Sequence, residues 1–130
     1  MTWTRKPQES SGKYFFSGKF YATQGVQSIL SPDEIYSISL DVKEFVTQKN
    51  GIDYLQVYEC TDGRKVWLID QLDQAMIASG DFAPEDNHYT MLLPEEYWVT
   101  MTAGIPRAVI FWMVRYKKVD EPQNFITLLP

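Results

Sequence analysis

The chain has 130 residues, is 45% hydrophobic and 15% aromatic, and carries a formal charge of −5. That is enough apolar surface for one domain and too much for a disordered chain, and it leaves no room for a second core of ordinary size. The acidic balance argues against nucleic acid as a partner, since a phosphate-backbone binder needs a broad basic surface.

The charge is unevenly spread. Residues 1–19 carry four bases and one acid, residues 66–106 carry seven acids and no Lys or Arg, and residues 107–130 carry four bases and two acids. The longest apolar run, Ala108 to Val114, is too short to span a bilayer as a helix, and no apolar stretch follows Arg5 and Lys6 as a secretion signal requires. With Cys60 as the sole cysteine, neither a disulfide within the chain nor a cysteine-based zinc site is available. These features predict a cytoplasmic protein with no membrane association.

Residues 1–12 are polar and read as a flexible arm, leaving 13–130 as a single domain. Tyr14 to Thr23 is aromatic-rich and predicts a strand, bent or bulged at Gly18. The clearest local signal follows. Ser31 suits a helix cap, Pro32 a first turn, and Asp33 and Glu34 the positive end of the helix dipole. Ile35, Ile38, Val42, Phe45 and Val46 then recur at helical spacing, and Asn50-Gly51 supplies a stop, so a helix is predicted over about 32–49.

Asp53 to Cys60 and Arg64 to Asp70 predict a hairpin turning at Thr61-Asp62-Gly63. A second helix fits Gln71 to Ser79, with Leu72, Ala75 and Met76 on one face, and Gly80 ends it. Asp81 to His88 reads as a loop, Tyr89 to Leu93 as a strand, and Pro94-Glu95-Glu96 as a turn or single helical turn. Tyr97 to Thr102 and Arg107 to Lys117 predict a final hairpin. Its second strand, apolar on both faces, belongs in a sheet centre. The expected fold is therefore α+β: a mostly antiparallel sheet with two helices packed on one face, ferredoxin-like in its β-α-β-β-α-β order plus a C-terminal hairpin.

Motifs for catalysis are missing. Gly12, Gly18 and Lys19 do not have phosphate-loop spacing, and Phe20 stands where that loop needs Ser or Thr. Asp33 and Asp41 are eight positions apart on one predicted helix, hence about 12 Å apart along its axis, too far to share a metal. Asp81 to Asn87 lacks the alternating oxygen ligands and central glycine of a calcium loop. His88 and Cys60 have no flanking nucleophile motif and read as a surface or strand-edge histidine and a buried thiol. No enzyme activity, cofactor or metal is therefore expected.

Two functional readings compete. Asp81, Glu85, Asp86, Glu95 and Glu96 form the densest charge cluster and predict a protein-interaction module with an acidic face for a basic partner. The alternative is a pocket for a nucleotide or metabolite, with Trp67, Trp98 and Trp112 stacking on the ligand and Arg107 or Arg115 receiving an anionic group. An apolar strand edge, or the Phe125 to Leu129 tail, would favour a homodimer.

Three segments in order, Tyr21-Ala-Thr-Gln-Gly25-Val26, Asp53-Tyr-Leu-Gln-Val57-Tyr-Glu59 and Tyr89-Thr-Met-Leu-Leu93-Pro-Glu-Glu-Tyr97, resemble an uncharacterised family of small proteins. It is a domain of unknown function of Gram-positive bacteria and their mobile elements, and the resemblance covers about residues 20–97. The resemblance implies a phage or mobile-element accessory protein and transfers no catalytic residue.

Overall fold

The fold is taken from a computed structural model that describes residues 2–97. Five strands form one sheet: β1 (Trp3–Arg5), β2 (Lys19–Ala22), β3 (Leu55–Cys60), β4 (Lys65–Asp70) and β5 (His88–Leu92). Three helices, α1 (Gln24–Ile29), α2 (Pro32–Lys49) and α3 (Gln74–Ser79), a 3₁₀ turn at Pro84–Asp86 and a helical turn over 94–97 accompany the sheet in the described chain. The class is α+β. Tyr97, the predicted start of the final hairpin, closes a helical turn at 94–97 instead of opening a strand, while residues 98–102, the Arg107–Lys117 strand and the Phe125–Leu129 tail lie outside the described residues.

Strand order is β1-β3-β4-β5-β2. β1–β3, β3–β4 and β4–β5 pair antiparallel, but β2 lies parallel to β5, with Lys19 opposite His88 and Ala22 opposite Met91. The sheet is thus mixed, which corrects the mostly antiparallel expectation. β2 ends the described sheet, whereas the first strand of a ferredoxin-like unit would sit inside it. The cause is a connection that local patterning does not reveal, because α1 and α2 carry the chain from β2 across the sheet to β3.

α2 forms where its caps and stripe predict. Ser31 Oγ accepts the Glu34 N–H while the Glu34 carboxylate accepts the Ser31 N–H, a reciprocal capping box. Asn50 closes the helix in the left-handed region at φ 53°, and its N–H bonds the Val46 carbonyl. Ile35, Ile38, Val42 and Val46 are buried against the sheet face carrying Tyr58, Val66, Leu68 and Met91. Each such side chain contributes about 1.5–3 kcal/mol of transfer free energy.

Other expectations need correcting. The arm is not loose: β1 pairs with β3, Lys6 N–H reaches the Val57 carbonyl at 2.8 Å, and Gln8 Oε1 accepts the Asp53 N–H at 3.0 Å. Of the predicted strand over 14–23 only Lys19–Ala22 is strand, because Phe16 adopts φ 48° and Tyr14 makes just an isolated bridge to Ile52. α3 starts at Gln74, capped by Asp73, and buries none of its residues. It is therefore not a second core-packing helix; α1, which the sequence reading missed, delivers Val26 and the following Leu30 to the core instead.

An interior polar clamp fixes the Phe16 turn. Asp70 Oδ2 accepts the Phe16 N–H at 2.9 Å, Asp70 Oδ1 accepts the Gln71 N–H at 2.9 Å, and Lys43 Nζ donates to the Phe16 carbonyl. Lys43 also stands 5.0 Å over the Tyr89 ring, against which Phe16 and Phe20 pack. Burial raises the Asp70 carboxyl to about 7, against the pull of three backbone N–H groups and of Lys43. Burial lowers the Lys43 ammonium, and Asp70 opposes that shift.

Candidate interaction surfaces

From Asp73 to Asn87 no residue is buried, and that stretch contains α3 and the 3₁₀ turn. Ile77 is 42% and Phe82 44% exposed, a large share for side chains of their size. Asp81 and Glu85 are exposed beside them, while Asp86 folds back to accept the Ala83 N–H at 3.2 Å. The sequence reading singled out the acids of this segment and missed its apolar residues. The signal for them was present: α3 has too few long apolar side chains to be held against a core.

Glu95 is exposed, but Glu96 serves the fold. Its Oε1 accepts the Thr23 hydroxyl and the Leu93 N–H, each at 2.7 Å, while Thr23 in turn caps α1 by accepting the Val26 N–H. A Cβ on Gly25 would lie 2.8 Å from Glu96 Oε2, so the carboxylate is seated against the α1 backbone. Glu96 is thus engaged in a structural bond, and the exposed acids are Asp81, Glu85 and Glu95.

Of the aromatic and basic set, Trp67 is half-buried on β4 with its ring 5.4 Å from that of Tyr97. Trp98, Arg107, Trp112 and Arg115 lie outside the described residues.

His88 corrects the expectation of a surface or strand-edge histidine, since its strand β5 lies between β4 and β2. It is fully buried on β5, 4.6 Å from the Tyr21 ring. Cys60 is buried as expected. Strand alternation puts Cys60 on the sheet face that bears Tyr58 and α2, and His88 on the face opposite Tyr89 and Met91, so the two cannot form a dyad. Among the described residues no cluster of His, Cys, Asp or Glu could hold a metal ion, and no helix is long and apolar enough to cross a membrane.

A second surface lies between β1 and the N-terminal half of α2, where a groove of about 630 Å³ is lined by Trp3, Arg5, Asp33, Glu34, Ser37 and Asp41 among others. Two polar networks form its floor. Glu34 accepts from Trp3 Nε1 at 3.0 Å and from Arg64 Nη2 at 2.7 Å, and Arg64 Nε reaches Asp62 at 2.8 Å. Asp41 Oδ2 accepts from Arg5 and from the Tyr58 hydroxyl, the latter at 2.6 Å. Sequence reading missed this groove because it treated Trp3 and Arg5 as parts of an arm.

The Arg64 bonds, with the Ser31 cap, hold the Glu34 carboxyl down at about 2. A carboxylate so lowered adds stability above the ordinary glutamate range and loses it as pH falls through about 2. Glu34→Gln is therefore expected to lower the urea midpoint at pH 7 by the equivalent of about 1 kcal/mol, with the difference narrowing towards pH 2. A constant difference across that range would contradict the assignment.

No family model, curated protein or solved structure matches this chain.

Proposed function

We propose that the chain is a non-enzymatic protein-interaction module whose Asp73–Asn87 segment docks a basic partner bearing apolar side chains. The observation that carries this reading is the exposure of Ile77 and Phe82 beside Asp81 and Glu85, in a segment with no buried residue. Exposed apolar side chains supply contact area on association, and the surrounding carboxylates favour encounter with positive charge. The stretch from Val66 to Tyr97 contains no Lys or Arg to neutralise them. A role as a phage or mobile-element accessory protein in the cytoplasm, and kinship with the domain of unknown function, belong to the same proposal and rest on the sequence segments alone.

The test is quantitative affinity capture with three baits: the wild-type chain, Asp81→Lys/Glu85→Lys, and Phe82→Ala. A partner retained by the wild type should be lost by the charge reversal at low salt and weakened about tenfold by Phe82→Ala. Retention of the same species by all three baits would sink the reading.

A further inference from the structure

We propose that the outer edge of β1, with the groove beneath it, takes up an extended basic peptide as an added strand. The backbone geometry gives the first reason. Thr2 accepts the Thr61 N–H and Lys6 donates to Val57, so the even-numbered peptide groups face β3. By antiparallel alternation the N–H and C=O groups of Trp3 and Arg5 face the other way. β1 ends the described strand order, so that side carries no described strand. Residues 3–5 contain no proline, and outer N–H and C=O groups that carry no described strand are a template for pairing.

The groove gives the second reason. In strand addition the backbone bonds supply affinity and pockets for alternate side chains supply selectivity. Here every second side chain of an added strand would point to the α2 side, into the space bounded by Trp3, Ser37 and Asp41. That space is acidic: Asp33, Glu34 and Asp41 line it against the single base Arg5. Glu34 is already bonded to Arg64, and Asp41 to Arg5 and Tyr58, but Asp33 is exposed in the first turn of α2. A Lys or Arg side chain finds there an exposed carboxylate at the groove mouth, while an acidic peptide meets the same charge. A second copy of this chain is a poorer occupant, since two molecules of net charge −5 repel.

The site is independent of the Asp73–Asn87 surface, and the test keeps them apart. A short fluorescein-labelled peptide of alternating Lys and Val is titrated with the full chain by fluorescence anisotropy. Two control peptides accompany it, one with Glu replacing Lys and one methylated at every backbone amide. The Lys-Val peptide should bind; the methylated and the Glu peptides should each lose at least about tenfold in affinity. Asp33→Lys should weaken the Lys-Val peptide by about tenfold, whereas Asp81→Lys/Glu85→Lys should leave it unchanged. Equal binding of the methylated peptide would overturn the proposal, as would abolition by the Asp81/Glu85 reversal with no effect of Asp33→Lys. So would a chain that sediments as a dimer and excludes the peptide.

Discussion

Gly18→Ala is expected to destabilise the protein by about 3 kcal/mol or more, at the upper end of what overpacking costs. A Cβ at this position would lie 1.9 Å from the Asn87 carbonyl oxygen and 2.3 Å from its carbon, and neither is the end of a flexible side chain. The same carbonyl accepts the Lys19 N–H at 3.2 Å, the bond that starts the β2–β5 pairing. Relief of the clash must therefore move β2 away from β5. Because Gly18 does not take a left-handed φ, the effect is steric rather than conformational. Chemical denaturation measures it, and Ser17→Ala, at an exposed neighbour, should stay within about 0.5 kcal/mol of wild type. Similar stabilities for the two variants would show that the approach of Gly18 to Asn87 is not tight.

The second large effect concerns pH. Asp70 has its carboxyl raised to about 7 in the folded protein from an ordinary value of 3.8. A group raised on folding binds its proton more tightly in the native state, so its stabilising effect is complete below the ordinary value and is lost as pH rises through about 7. Over that window the loss is on the order of 4 kcal/mol. Lys43, lowered by burial, works in the opposite sense and on the alkaline side. Asp70→Asn keeps a neutral polar group beside Phe16 and removes the titration. Urea unfolding at several pH values from 4.5 to 8 should show wild-type stability falling relative to the Asn variant as pH rises. Parallel profiles would mean that Asp70 stays ionised throughout.

How far the fold was legible follows from how local each cause is. α2 was readable to the residue because its cap, its acidic first turn, its apolar stripe and its Asn50 stop all lie within the segment. The β3–β4 hairpin was readable for the same reason, since Thr61-Asp62-Gly63 sets its turn. β1 was not, because three polar-flanked residues become a strand only when β3 is there to pair with them. α1 hid behind the strand-like run before it, although Thr23 is a good cap and the helix is short. The buried state of His88 depends on β2 and β5 lying side by side, which no window of sequence contains. In the acidic segment the charges were legible, but the structural engagement of Glu96 through Thr23 was not, as the two are separated by more than seventy positions.

That parallel pairing also bears on how the chain reaches its native state during synthesis. β2 leaves the ribosome early, but its partner β5 is not complete until Leu92 has been made. Closing so long a loop costs entropy before any contact rewards it, and the β2–β5 contact is among the least local in the sheet. Until then α2 can rest only on the β3–β4 hairpin and β1, with Ala22, Val26 and Leu30 lacking the strand that covers them. A nascent chain arrested before His88 should therefore expose apolar surface and be vulnerable to proteolysis, and release of β5 is the step that seals the core.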